Sequence, residues 1–405
     1  MRKHMIEYEA ALRKVVTRAR SLPAEAVPLV EALGRTLARD LKAPENVPPF
    51  AKATMDGYAV RSADTRIPEG SYGIELMVVE NLPAGRVGRK SVGPGEAVRI
   101  MTGAPLPKGA DAVVMVENTE TSGARVRIRR GVGPGDNIGQ AGEDLRKGEL
   151  ILGKGALIGP AELGVLASIG AASVPVARRP HVAVIATGDE IVEPGEKRVG
   201  GCIFNSNGYS LLAMALRTGA DAAYLGIARD KKSSLEARFR RAAAADILVL
   251  TGGVSVGDHD LVREGLGGLG VRPVFWQVRI KPGKPVFFGV RGRQLVFGLP
   301  GNPTSAMITF LLFVRPAVER MLGRKETGAR GGRAVLAEDL VLKSGRTQFL
   351  RGFLAGSGPE LRVSPFPDQK SGVLRPMVLS RVLIVVPADI ARLEKGQEVE
   401  ILYLD

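Results

Sequence analysis

The apolar positions of this chain change period along its length. At the N-terminus, "MIEYEAALRKVVTRAR" repeats its apolar residues at helical spacing, and "PAEAVPLVEALGRTLARDL" does so again after a turn. Residues 1–45 therefore read as helix, turn, helix. Pro44, Pro48 and Pro49 then exclude helix and force an extended path. From about 58 to 138, short runs such as "YGIELMVVE", "DAVVMVENTE" and "ARVRIRR" are separated by glycine and proline turns, as in a small β barrel or sandwich. One helix follows within 139–176, "GPAELGVLASIG", with Pro160 in its first turn.

Residues 177–323 alternate strand with helix. "HVAVIAT" leads to the helix "NSNGYSLLAMALRTGA", opened by an Asn or Ser cap and stopped by Gly219. Then come "AAYLGIA", the helix "SSLEARFRRAAAA", "DILVLT", a helix after Asp260, "VFWQVRI", two more β runs and a long helix from Pro303. That order predicts a doubly wound parallel sheet, which binds ligands outside the carboxyl ends of its strands. From about 330 the pattern is β again, ending in "RVLIVVPAD" and "VEILYLD".

Composition narrows the class. With 405 residues, 45% of them hydrophobic and 24% charged, the chain reads as a folded protein of several domains. Its single cysteine, Cys202, excludes an internal disulfide and a cysteine-rich zinc site, and fits a reducing compartment. The N-terminus lacks the continuous apolar core of a secretory signal, and the longest apolar run, 306–314, is too short for a bilayer. A cytoplasmic location without membrane contact is expected. Net charge is +15, which suggests an anionic partner, although an arginine-rich composition alone gives the same surplus. The basic residues are scattered and aromatics are only 5%, so few stacking platforms exist and nucleic acid is not expected.

Four stretches carry candidate chemistry. "DILVLTGGVSVGDHD" (246–260) follows a strand, and its glycines expose N–H groups that can cradle phosphate oxygens. Asp258 and Asp260 suit a hydrated Mg²⁺. Alone, the loop serves equally as a tight turn with an Asp cap on the next helix. It is neither a Gly-Lys-Ser/Thr phosphate loop nor a G-x-G-x-x-G turn. "HVAVIATGDEIVEPG" repeats the scheme with Thr187, Gly188, Asp189 and Glu190, or is a solvated acidic turn. In "VRIKPGKPVFFG", prolines stiffen a turn that displays Lys281 and Lys284, which suits an oxyanion or simply solvent. "VFGLPGNPTSAM" sets Pro300, Gly301, Asn302 and Pro303 before a helix, as an anion site or as punctuation. Earlier, Asp56 and Thr102 lie in turns that local side-chain bonding explains. Glu143 and Asp144 precede another turn, and His4, His181 and His259 are too dispersed for a zinc triad.

Taken in order, MDGYAV, TGAPLPKGADAVVMVE, GEDL, TGDEI, NSNGYSLLAM, TGGVSVGDHD, KPGKP and GLPGNPTS resemble the molybdopterin molybdenumtransferase family, of MoeA and gephyrin E-domain type. "GRTQFLRGFL" and "QKSGVLRPMVLSRVLIVVP" match more weakly, so the resemblance spans nearly the whole chain. It implies a multidomain α/β protein with an elongated domain (1–45 plus 140–176) and a β domain inserted at 46–139. A doubly wound molybdopterin-binding α/β domain (177–323) and a C-terminal β-barrel-like domain (324–405) complete it.

The implied reaction is insertion of molybdate, or the similarly sized tungstate, into adenylated molybdopterin with Mg²⁺ and release of AMP. Asp189, Glu190, Asp258 and Asp260 would hold Mg²⁺ or orient water. Gly252, Gly253, Ser255, Pro300 and Asn302 would cradle phosphate or pterin. Lys281 and Lys284, with Arg351 and Ser371, would bind molybdate. Asp56, Thr102 and Asp144 would enter the partner subunit's cleft in a homodimer. Transient contact with a molybdopterin adenylyltransferase is also implied. The chain departs from the family where arginines often precede GED, since Gly139, Gln140 and Ala141 stand here, which speaks against a basic contact in that segment. Asp230 stands where the family often shows a second acid, and Thr54 replaces a commoner serine. Two other readings are an adenylyltransferase, which the flanking β domains oppose, and a non-catalytic scaffold, which has no use for paired charges of both signs.

Overall fold

The computed structural model describes residues 5–253 and 261–404, so Ser255, Asp258, His259 and Asp260 lie outside the described residues. The chain forms two compact units. One comprises Met1–Arg39, Lys154–Gly159 and Val174–Asp405, the other Asp40–Gly153 and Pro160–Ser173.

The larger unit is built on a six-stranded sheet. Its strands are β1 (His181–Thr187), β2 (Asp221–Ala228), β3 (Ile247–Thr251), β4 (Arg272–Phe275), β5 (Phe287–Arg291) and β6 (Gln294–Leu299), in the order β2-β1-β3-β6-β5-β4. Successive residues face opposite sides of a strand, and here both sides are covered. Val182, Val184, Ile247 and Val249 pack with Leu211 and Met214 of the helix Asn207–Thr218 and with Phe310–Val314. Ala183, Ile185, Leu248 and Leu250 pack on the other side with Leu235 and Phe239 of the helix Lys232–Arg241. Each of these Val, Ile, Leu, Met and Phe side chains taken fully from water stabilises the fold by about 1.5–3 kcal/mol. The doubly wound architecture is thus borne out.

The sheet is not parallel throughout. β2, β1, β3 and β6 are parallel, but β5 runs antiparallel to β6, and β4 to β5. The cause is local: only Gly292 and Arg293 join β5 to β6, and Gly292 takes φ +59°. Two residues can close a hairpin but cannot make a crossover. The long helix from Pro303 is likewise three segments, Pro303–Thr309, a π-helical turn Phe310–Val314, and Arg315–Met321. Pro316 has no N–H to return to the preceding turn, which widens the helix there.

Five further strands close on themselves: β7 (Gly331–Leu336), β8 (Thr347–Ala355), β9 (Arg362–Pro365), β10 (Val382–Val386) and β11 (Glu398–Tyr403). The order β8-β9-β7-β11-β10 returns to β8, so the C-terminal β region is a five-stranded barrel without edges among these strands. The two-residue strand Ile280–Lys281 adds to β8 in parallel.

The smaller unit holds an open six-stranded sheet, Ala112–Met115, Gly57–Val60, Glu96–Ile100, Ile74–Leu82, Arg125–Ile128 and Thr119–Ser122 in spatial order. Ala59, Val98 and Val113 bury into one cluster, while Tyr58, Ala97 and Val114 bury into another.

One expected element is absent. Residues 23–41 are not a second α-helix; they give the strand Ala24–Pro28 and the 3₁₀ turn Leu29–Ala32. Pro28 disfavours helical backbone at Val27 and removes an N–H, while the strand finds a partner in Ser173–Ala177. Long-range pairing therefore overrides an amphipathic pattern.

Candidate functional site

The carboxyl ends of β1, β3 and β6 bring three sequence-predicted loops together. The Thr187 hydroxyl donates to the Thr251 carbonyl at 3.3 Å, and the Gly252 N–H donates to the Leu299 carbonyl at 3.2 Å. Gly252 has φ +90°, and a Cβ there would lie 2.5 Å from the Thr187 carbonyl oxygen. A Cβ on Gly301 would lie 3.6 Å from the Gly252 Cα. Backbone meets backbone at these points, which is why glycine stands at position 252. The Gly252 N–H, expected to face a phosphate, is already spent within the protein.

After β1, the chain turns through Asp189 and Glu190 toward Asp230 at the end of β2. The Asp189 N–H donates to Asp230 Oδ2 at 3.3 Å, and the Asp230 N–H donates to Asp189 Oδ1 at 3.2 Å. Arg229 holds this turn by donating one guanidinium nitrogen to the Asp189 and Ile191 carbonyls at 3.2 and 2.9 Å. Neither carboxylate enters an ion pair among the described residues. Among those residues no cluster of three or more metal-ligating side chains forms. Two hard carboxylates do suit a hydrated Mg²⁺, which takes one or two of them with phosphate oxygens and water. The structure thus joins Asp230 to Asp189, whereas the sequence favoured Glu190.

After β6, Pro300, Gly301 and Asn302 enter the helix Pro303–Thr309. The Asn302 carboxamide donates to Ser371 Oγ at 2.9 Å, and the Thr304 N–H donates to the Ser371 carbonyl at 3.2 Å. Two stretches 69 residues apart are thereby fixed as neighbours. One amide at this helix start is consequently closed to an anion. The Lys281–Lys284 turn seats on the same helix, since a Cβ on Gly283 would collide with Thr309 Cγ2. Lys281 is exposed and Lys284 half-buried, and neither ammonium is in an ion pair among the described residues.

Arg351, which the resemblance implies as a molybdate ligand, has its head bonded within the protein. It is 1% exposed, in the middle of β8. Its Nη1 donates to Thr304 Oγ1 at 3.3 Å and to the Val373 carbonyl at 3.1 Å. Its Nη2 donates to the Asp368 and Lys370 carbonyls at 2.8 and 3.2 Å, and its Nε to Gln369 Oε1 at 3.4 Å. Burial pulls its pKa below the usual guanidinium value. The fork is fully used inside the protein, winding residues 368–373 around itself with Ser371 at the tip.

Sequence reasoning also missed Asn207. Read as a helix cap, its carboxamide instead donates to Thr251 Oγ1 at 2.9 Å and to the Gly301 carbonyl at 2.8 Å. The residues around it form no local signal for those bonds, because the acceptors are 44 and 94 residues away.

In the smaller unit, Asp56 Oδ1 accepts from the Thr102 hydroxyl at 2.6 Å and from its N–H at 2.8 Å. The hydroxyl bond first, then the N–H bond and the Arg99 charge, hold the Asp56 carboxyl below the usual carboxylate range. Asp144 is exposed in a separate turn, its N–H donating to the Val47 carbonyl at 3.0 Å. Because the folded-state pKa of Asp56 is lowered, its contact with Thr102 is intact above the ordinary Asp pKa and is lost as pH falls through the lowered value. Thr102→Val is expected to move the Asp56 pKa upward toward the ordinary value. Carboxyl-carbon NMR titration of both proteins measures this, and identical titration curves would refute the hydroxyl's role.

Three family models match the chain: the MoeA N-terminal region (domain I and II) over residues 6–170, a probable molybdopterin binding domain over 183–320, and the MoeA C-terminal region (domain IV) over 333–404. A molybdopterin molybdenumtransferase of Staphylococcus aureus is 35% identical over 405 residues, covering 99% of this chain and 96% of that protein. One of Bacillus subtilis is 35% identical over 404 residues, covering 98% and 94%. A crystal structure of a molybdopterin biosynthesis MoeA protein from Pyrococcus horikosii is 36% identical, with TM-score 0.87 over 99% of this chain and 100% of that one.

Proposed function

The chain belongs to the MoeA family of molybdopterin molybdenumtransferases, and from that premise we propose that it inserts molybdate or tungstate into adenylated molybdopterin and releases AMP. Its role as a transferase of molybdenum cofactor biosynthesis follows from the same likeness. The observation that carries the finer reading is the contact of Asn302 with Ser371, with the Lys281–Lys284 turn on the same helix. On this reading the loop proposed to cradle phosphate lies beside two lysines that enter no ion pair among the described residues and would meet the oxyanion.

On this reading the lysines neutralise the oxyanion, and the glycine loops orient the adenylated pterin so that its sulfurs face the metal. Asp189 and Asp230, with Asp258 and Asp260 from the stretch outside the described residues, would hold Mg²⁺. That ion would supply neutralisation of the phosphate charge. A homodimer contributing Asp56, Thr102 and Asp144 to the partner's cleft, handover from an adenylyltransferase, and the four-way division at 46–139, 177–323 and 324–405 are parts of the same proposal. Among the described residues no helix is long and apolar enough to cross a membrane.

The test is a defined insertion assay with adenylated molybdopterin, Mg²⁺ and either oxyanion, following AMP by chromatography. Oxyanion-dependent AMP release is expected from the wild type. Asp189→Asn is expected to need a higher Mg²⁺ concentration for half-maximal rate. Pterin binding without any AMP release would overturn the transferase reading in favour of a carrier.

A further inference from the structure

We propose that Asn207 is a positioning residue that bolts the Thr251–Gly253 loop to the Pro300–Asn302 loop and so sets the width of the phosphate cradle. Both of its amide hydrogens are committed, one to Thr251 Oγ1 at 2.9 Å and one to the Gly301 carbonyl at 2.8 Å. A carbonyl can only accept, so the nitrogen must face Gly301 and the amide orientation is determined by its partners. Thr251 Oγ1 in turn donates to the Pro300 carbonyl at 3.1 Å, and Thr251 is 2% exposed. One planar group therefore spans two loops that the chain separates by some fifty residues, and a buried hydroxyl doubles the link.

Asn207 is itself held from behind. The neighbouring Asn205, 2% exposed, accepts the Gly208 N–H at 3.0 Å and donates to the Tyr224 hydroxyl at 2.6 Å. That hydroxyl donates to Glu193 Oε1 at 2.7 Å, and burial first, then the Glu193 bond, raises the Tyr224 pKa. The tyrosine thus stays a donor across the physiological range. Tyr209 adds a second hydroxyl to Glu193 at 3.2 Å. The first turn of the helix Asn207–Thr218 is thereby anchored to β2 and to the stretch after β1, so Asn207 cannot drift with either loop it joins.

The activity consequence rests on the proposed function, whereas the bolt itself does not. Displacing a substrate-positioning group by about 1 Å costs roughly 10²-fold in rate. Asn207→Ala is expected to lower kcat about tenfold to hundredfold while the KM for molybdate stays unchanged, because the lysine turn is untouched. Asn207→Asp, which turns an acceptor toward the Gly301 carbonyl, is expected to be worse than alanine. Adding Thr251→Val to Asn207→Ala is expected to cost less than the Thr251→Val loss alone, since one bond is shared, but still to cost something, since the Pro300 bond is also removed.

Hydrogen exchange followed by NMR tests the bolt without any substrate. In Asn207→Ala, the Gly252 and Thr304 amides, which donate to the Leu299 and Ser371 carbonyls, are expected to exchange at least about tenfold faster, with the thermal midpoint and the β7–β11 amides unchanged. Unchanged exchange at Gly252 and Thr304, or uniform acceleration over the whole chain, would overturn the proposal. A wild type that releases no AMP would sink the proposed reaction yet leave the exchange result to stand or fall alone.

Discussion

Replacing Arg351 with methionine is expected to destabilise the larger unit by about 2–4 kcal/mol and to release residues 368–373 from the barrel. The guanidinium is 1% exposed and satisfies three carbonyls, a carboxamide oxygen and a hydroxyl. Each acceptor left buried without a donor costs about 1–3 kcal/mol, so five would be prohibitive. The loop therefore opens to water instead, and the cost is limited to the contacts it loses. Arg351→Lys keeps the charge but replaces a five-donor fork with three donors on a shorter head, so it is expected to fall between.

Scanning calorimetry should show the unit's transition lowered by roughly 5–10 °C in Arg351→Met. Limited proteolysis should show new cleavage near Lys370. If the transition and the cleavage pattern match wild type while molybdate binding disappears, Arg351 touches the oxyanion directly and the loop is held by other contacts. If all three change together, its effect on the site runs through Ser371.

The places where sequence and structure agree share a cause. The helix–strand alternation of 177–323 predicts the doubly wound domain because side chains must bury on both faces of the sheet, a requirement written in each strand by itself. The glycine loops are legible for the same reason, since position after a strand and permissive backbone are local facts. Where sequence reasoning stops short, the deciding partner is distant. The segment 23–41 has a helical pattern but pairs with Ser173–Ala177. Asn207 looks like a cap until its acceptors, Thr251 and Gly301, are in place. Arg351 had a usable signal, because an arginine inside the apolar run "FLRGFL" must bury its charge. That signal says the head is satisfied internally, as it is through its five bonds.

Lys284→Ala is expected to cost about 10²–10³-fold in oxyanion-dependent turnover, and Lys281→Ala about tenfold. Both residues stand on one stiff turn, so their chemistry is the same and only their surroundings differ. Lys281 is exposed and Lys284 half-buried. At 4 Å, two unit charges attract by about 1 kcal/mol in water but about 4 kcal/mol at the effective dielectric of a protein surface. The half-buried ammonium is therefore the stronger partner for a dianion, and the less screened by salt. Isothermal titration with molybdate and with tungstate, at low and high ionic strength, separates the two lysines. Wild type and Lys281→Ala should weaken modestly with salt, and Lys284→Ala should show no measurable heat at either ionic strength. Equal losses from the two substitutions would mean that the oxyanion sits at the rim of the turn. Burial at position 284 would then serve only to pack the turn against Thr309.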